Sequence, residues 1–292
     1  MRLLVTGASG LLGTRLCELA VQNEYEVYSA YSQHKPIYGT AVHFDVSDGV
    51  SVKDTIGRIR PGVVVHAAAL TDVDKCEQER ESAWRINVVG TENVVKSCRK
   101  CGAFLVYVST DYVFDGEKGM YEESDAAAPI NYYGFTKLKA EESVKSLADR
   151  YCVARASVIF GSNPATGKMN FTLWLIDRLR KKERVEIVTD QWNSPTLNSS
   201  LAEMILESVE REITGTYHVS GATRVDRYSF SRLIAETFEL DASLMAPTSS
   251  TRFSWVARRP RDSSLNTSKA EQTFKSKPLK LEAALLKMKE EM

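Results

Sequence analysis

The chain has 292 residues, of which 43% are hydrophobic, with 38 Lys and Arg set against 38 Asp and Glu. That size supports a large α/β domain with a smaller partner, and the balanced charge excludes a global basic field for nucleic acid, so an anionic ligand must be met locally. No apolar run approaches the ~20 residues that span a bilayer, Met1 leads straight into an apolar run with no signal-peptide pattern, and five scattered cysteines suit a reducing compartment, so a cytoplasmic protein without a membrane partner is expected.

In the first half, short β-branched runs alternate with helical patterns. Residues 3–6, 26–30, 42–44, 63–66 and 104–109 read as strands, and 11–23, 50–60, 77–100, 131–150 and 169–182 as helices. Strands apolar throughout, with helices between them, predict a doubly wound parallel sheet of the Rossmann type. Gly7, Gly10 and Gly13 follow the first strand and open the first helix. This spacing suits a pyrophosphate: a tight turn, exposed backbone N–H groups and the positive end of a helix. The second strand runs into Tyr31-Ser32-Gln33-His34-Lys35, with no acid to grip a ribose 2′-hydroxyl. Ser32, His34 and Lys35 suit a 2′-phosphate and point to NADPH over NADH; a solvated loop is the plain alternative. Asp45, followed by Val46, can meet an adenine amino group or cap the next helix. His66-Ala67-Ala68-Ala69-Leu70 ends the fourth strand with a flat surface, and His66 reads as packed rather than catalytic. Cys98-Arg-Lys-Cys101 has no second cysteine pair and reads as the end of a helix.

The fifth strand ends in Val108-Ser109-Thr110-Asp111-Tyr112, which puts a hydroxyl in the crevice where these folds bind ligands. Tyr133 and Lys137 lie i and i+4 on one helix face. The ammonium is expected to lower the tyrosine pKa, so that Tyr133 can protonate an alkoxide. The second half mixes types less regularly: helices over 197–210, 228–238 and 281–290, a strand over 215–219, and an Arg- and Ser-rich loop over 248–268. Residues 1–157 are expected to bind cofactor, with segments near 185–220 packing on them, and 158–292 mainly the substrate.

Through Gly7–Gly13, Thr110, Tyr133–Lys137, Asp190-Gln-Trp192-Asn-Ser-Pro-Thr196 and Arg258-Arg-Pro-Arg261, the chain resembles the extended short-chain dehydrogenase/reductase family over nearly its whole length, and within it the dTDP-4-dehydrorhamnose reductases. The resemblance implies NAD(P)H-dependent reduction of a 4-keto nucleotide sugar to dTDP-L-rhamnose, with Thr110, Tyr133 and Lys137 catalytic. Gly10, Leu11 and Leu12 would meet the pyrophosphate, Asp45 and Val46 the adenine, and Ala67 to Leu70 and Val108 the rest of the cofactor. Val73, Asp111, Tyr112 and Trp192 would face substrate. Arg259 and Arg261 are expected to hold its diphosphate. Two departures stand out. Arg155-Ala-Ser-Val158 lacks the tryptophan that many relatives carry, which opens the sugar's identity to a different reductase or epimerase. Arg15 stands where some relatives use a glutamate for Mg²⁺ at a dimer interface, so no structural metal is expected; a homodimer stays open. The regulatory β-subunit of methionine adenosyltransferase resembles the same family, so an NADP-binding partner protein is the competing reading.

Overall fold

The computed structural model describes residues 1–163 and 169–292. Strands β1 (Arg2–Thr6), β2 (Glu26–Tyr31), β3 (Thr40–His43), β4 (Val63–His66), β5 (Phe104–Thr110), β6 (Tyr151–Ala156) and β7 (Gly215–His218) form one sheet. Their order is β7-β6-β5-β4-β1-β2-β3, and every neighbouring pair is parallel. The order reverses between β1 and β4, and a crevice opens there at the strands' C-terminal ends. This is the doubly wound sheet that the alternation predicts.

Side chains alternate across the sheet. Leu3 and Val5 of β1 join one core with helices α1 (Leu11–Gln22) and α5 (Asn198–Glu210), through Leu16, Ala202 and Ile205. Leu4 points to the other face, where α2 (Gly49–Ile59), α3 (Gly90–Cys101) and α4 (Tyr132–Leu147) contribute Ile56, Val94 and Ala140. A further core runs from Phe160 to Met288 and joins the helices Phe171–Arg180, Arg227–Thr237 and Leu281–Glu290.

Three elements around the site differ from expectation. Strand β6 was not expected, because Arg155 interrupts an apolar run; its side chain is 3% exposed and its charge is met by a buried partner. The helix expected over 77–100 is divided into four segments. Val73–Gln78 ends at Glu79, Arg80–Trp84 runs into a π-helical turn at Arg85–Val89, and α3 follows. A wide turn of this kind turns a side chain inward that a regular helix would not, and here that side chain is Asn87. The helix expected over 131–150 stops at Leu147, where Ala148 turns extended to feed β6. No helix among the described residues is long and apolar enough to cross a membrane.

Candidate active site

At the mouth of the crevice, Gly7 adopts φ +69°, a conformation L side chains rarely take, and a Cβ there would stand 2.8 Å from the Ala68 nitrogen. Gly13 lies under Gly7, where an added Cβ would be 2.1 Å from the Gly7 oxygen. The Gly10 cap offers no side chain and the first turn of α1 contains no acid. Leu11, Leu12 and Gly13 therefore present the orphan N–H groups of a helix start to the crevice. Backbone donors without a competing carboxylate fit a pyrophosphate. Ala67 to Leu70 line the adjoining edge, half-buried. Asp45 is exposed, and one carboxylate oxygen accepts from the Ser47 N–H at 2.8 Å. The helix-cap role falls to Asp48, which accepts from Val50 and Ser51. Val46 is buried; its carbonyl accepts from Asn93 at 3.0 Å. Ser32, Gln33, His34 and Lys35 are exposed.

His66 lies in a directed chain of hydrogen bonds. The Ala68 N–H donates to Thr6 Oγ1 (3.2 Å), which faces His66 Nδ1 (2.7 Å), while His66 Nε2 faces Thr91 Oγ1 (3.0 Å), whose hydroxyl donates to the Asn87 carbonyl (2.6 Å). One proton on Nε2 satisfies every link. Burial pushes the ring pKa down to about 3, so it stays neutral. This histidine holds the crevice wall.

Across the crevice, α4 starts at the Asn131 cap, which accepts from the Gly134 N–H at 2.9 Å. A Cβ on Gly134 would fall 2.0 Å from the Tyr112 carbonyl. Glycine thus lets the helix start press against the turn after β5, and brings Tyr133 to Thr110. The Tyr112 and Tyr133 rings meet edge-on at 6.0 Å. Burial pushes the Tyr133 phenol well up; a hydrogen bond with Thr110 works back down, and Asp111 pushes further up. This corrects the expectation that Lys137 lowers it. Lys137 instead donates to the Val108 carbonyl at 2.7 Å and sits 4.2 Å from the centroid of the Tyr107 ring. Burial lowers the Lys137 pKa to about 7, against an upward pull from Glu141. Val108 is itself buried, and its carbonyl is what it contributes here.

Asp111, expected on the sugar, lies 2% exposed beneath the site. Its carboxylate accepts from Thr110 (3.0 Å), Ser157 (2.9 Å) and Ser263 (2.5 Å). Burial raises its pKa, with the hydroxyls opposing. Three chain segments converge on it, so its place is to fix Thr110. Tyr112 is half-buried above it, and Val73 begins the Val73–Gln78 helix, half-buried. The arginines expected to act together are dispersed. Arg258 and Arg261 are exposed. Arg259 pairs with Asp74 at 3.0 Å and donates to the Ala257 carbonyl. Arg261 and Arg224 lie over the Trp192 ring, at 5.8 and 5.4 Å.

The family described as RmlD substrate binding domain matches residues 1–292. The chain belongs to that family. A dTDP-4-dehydrorhamnose reductase of Bacillus anthracis, solved in complex with NADP, superposes with a TM-score of 0.91 at 32% identity, covering 100% of this chain and 99% of that one. The dTDP-4-dehydrorhamnose reductase of Aggregatibacter actinomycetemcomitans is 30% identical over 97% of both chains. Methionine adenosyltransferase 2 subunit beta of Xenopus tropicalis is 33% identical over 84% of this chain and 75% of its own.

For this RmlD-family chain, the fold also assembles residues that sequence reasoning did not single out. Asn87, turned inward by the π-helical turn, accepts from the Leu70 N–H (2.8 Å) and donates to the Leu70 carbonyl (3.1 Å) and to Thr136 (3.0 Å). It ties the alanine edge to α4. Glu141, one turn beyond Lys137, is clasped by Arg155 through two bonds of 2.8 Å and accepts from Ser109 at 2.7 Å. The i, i+4, i+8 spacing of Tyr133, Lys137 and Glu141 carried a signal for it. That Arg155 is its partner carried none. Arg15 pairs with Glu18 (2.7 Å) and Glu291 (2.9 Å).

Proposed function

We propose that the chain is an NADPH-dependent reductase of the 4-keto group of a nucleotide-linked sugar, with dTDP-4-dehydro-6-deoxy-L-mannose, reduced to dTDP-L-rhamnose, as the leading candidate. The observation that carries the reading is the place of Thr110 at the C-terminal end of β5, close enough to the buried Tyr133 to act on its phenol, across the crevice from an uncapped, acid-free helix start. The α1 N–H groups and Gly7 would hold the cofactor's pyrophosphate, with Ala67 to Leu70 and Val108 along its length and Asp45 and Val46 at its adenine. The absence of an acid after β2 favours NADPH. The bound dinucleotide supplies a hydride to the keto carbon.

The protein's own part is to hold and release a proton. Tyr133 stays protonated across neutral pH, because burial disfavours its phenolate. It can therefore give its proton only to a strongly basic atom, such as the oxygen of a forming alkoxide. Thr110 donates to Asp111 and accepts from the Tyr112 N–H in the free protein, and turns its hydroxyl to the sugar to hold that oxygen beside Tyr133. Residues 1–157, with α5 and β7 packed on them, form the cofactor side in this reading, and the core between Phe160 and Met288 supports the substrate side.

NADPH consumption against a panel of 4-keto nucleotide sugars tests the reading. Tyr133→Phe should cut kcat by ~10²–10⁴, while NADPH affinity stays close to wild type. Wild-type kcat in that variant would remove Tyr133 from the mechanism. The relation to methionine adenosyltransferase 2 subunit beta supports a second reading, an NADP-binding regulatory partner. Turnover of no sugar in the panel, together with specific recovery of a methionine adenosyltransferase in a pull-down, would favour it.

A further inference from the structure

The C-terminal half is rich in arginine, and folding pairs several of these arginines with carboxylates before any ligand arrives. Arg224 holds Asp262 through bonds of 2.7 and 2.6 Å, Arg259 holds Asp74, and Arg252 approaches Glu186 at 3.6 Å. Among the described residues, every other arginine without an ion-pair partner is exposed, except Arg227, which is half-buried. Arg227 opens the Arg227–Thr237 helix, and its guanidinium carbon lies 4.5 Å from the centroid of the Phe171 ring. No carboxylate stands within ion-pair distance of it among the described residues. Its backbone N–H donates to the Gln191 carbonyl at 3.0 Å, and Asp226 before it pairs with Trp192, so it starts at the loop that would face the nucleotide, with Tyr112 and Asp111 within electrostatic reach.

Withdrawing an unpaired guanidinium from water is unfavourable unless a counter-charge arrives. Burial accordingly pushes the Arg227 pKa down, with Tyr112 and Asp111 opposing. Asp111 is not the counter-charge: its carboxylate is occupied by three hydroxyls. We propose that Arg227, rather than the Arg258–Arg261 cluster, is the main anchor for the diphosphate of the nucleotide sugar, its guanidinium held over the Phe171 ring next to the strand that carries Trp192. The proposal rests on the nucleotide-sugar reading above and names the residue that holds the substrate's charge. A guanidinium bonds phosphate oxygens through two parallel N–H groups. Stacking on an aromatic face orients that fork before binding and reduces the ordering cost.

The experiment compares wild type, Arg227→Met and Arg227→Lys by three measurements: Kd for dTDP and UDP by calorimetry, Kd for NADPH, and KM and kcat for the 4-keto nucleotide sugar. Arg227→Met should raise the nucleoside diphosphate Kd and the sugar KM about ten- to a hundredfold, and leave kcat and NADPH binding near wild type. Arg227→Lys keeps the charge but loses the fork, and should fall between the two. Unchanged dTDP affinity in Arg227→Met that still binds NADPH overturns the proposal, as does failure of wild type to bind either nucleotide. If the methionine variant does not fold, a lysine variant with wild-type dTDP affinity overturns it in the same way. Loss of dTDP affinity without sugar turnover by wild type would sink the reductase reading and leave the anion site standing. Turnover with an unchanged KM would do the reverse.

Discussion

Charge is handled in opposite ways at two ends of the candidate site. Along the inner stripe of α4, Glu141 is fully buried and Arg155 is 3% exposed, clasped by two hydrogen bonds. On the loop that carries Arg252 to Arg261, the one carboxylate near Arg252 is 47% exposed, Arg252 itself 68%, and Arg258 and Arg261 lie in solvent. A helix and a strand of the sheet each fix which way a side chain points, so Glu141 on α4 and Arg155 on β6 meet face to face and can be buried as a unit. A loop fixes no such direction, and neighbours in sequence part company. The buried stripe should therefore respond strongly to single substitutions and the loop weakly.

The largest effect is expected at Glu141. Glu141→Gln keeps the shape and leaves Arg155 buried without its counter-ion, which should cost about 3–5 kcal/mol in chemical denaturation. The double variant Glu141→Leu with Arg155→Met should recover most of that, because two apolar groups need no partner. Burial raises the Glu141 pKa, but bonds from Arg155 and Ser109 outweigh it and the carboxyl lies below its ordinary value. The sign follows: its stabilisation is present above the unfolded carboxyl range near ~4.3, and is lost as pH falls through the lower folded value. Glu141→Gln should flatten that acid limb. A cost under ~1 kcal/mol would break the contrast between the two regions.

Lys137 is the next test, because it sits on the same stripe without a carboxylate of its own in contact. With a pKa of about 7 in the free protein, it is an ammonium below that pH and a neutral amine above it. If the charged form supports turnover, kcat/KM should fall about tenfold per pH unit above the transition. Lys137→Arg, charged throughout, should remove that limb even where its rate is lower. Stability carries the opposite sign. A lysine whose folded pKa is depressed burdens the fold fully below about 7 and is relieved as pH rises towards the unfolded value. Lys137→Met should therefore stabilise more under acidic than under alkaline conditions. A kcat/KM profile without an ionisation near neutrality would show that the bound ligands, not the free protein, set this charge.

What could be read before folding follows the same line. The glycine loop was legible because its function is backbone geometry: Gly7, Gly10 and Gly13 fix a turn and a helix start within seven residues. Tyr133 and Lys137 were legible because helical spacing brings them to one face, yet the electrostatic relation expected between them was not found. What Lys137 faces, the Val108 carbonyl, lies on another strand. Strand β6 was hidden by Arg155, whose partner sits 14 residues earlier on α4. The place of Asp111 depended on Ser157 and Ser263, 46 and 152 residues away. Asn87 needed a π-helical turn that periodicity does not announce. Arg227 needed the fold, which leaves it half-buried while the other unpaired arginines among the described residues are exposed.

The smallest effect should come from Arg261, and it is the sharpest check on the loop. Arg259 and Arg261 look equivalent in sequence, two residues apart around Pro260, and both were expected to hold diphosphate. The fold separates them. Arg259 is 15% exposed and bound to Asp74, which also accepts from the Ala257 N–H at 2.9 Å, so the pair ties the loop to the Val73–Gln78 helix. Burial acts upward on the Asp74 pKa, but the Ala257 N–H and Arg259 outweigh it and leave the carboxylate below its ordinary value. Arg259→Ala should thus raise the sugar KM by displacing the loop, and Asp74→Asn should reproduce much of the rise without removing a cation. Arg261 has no ion pair among the described residues and reaches only the Trp192 ring, at 5.8 Å from its centroid. An exposed charge acts through water and is screened by salt. Arg261→Ala should shift KM by no more than about two- to threefold, and the shift should vanish at high ionic strength. A salt-resistant rise of tenfold or more would mean that the loop closes over the nucleotide and buries Arg261 in the complex, and the loop would then belong with the stripe of α4 rather than against it.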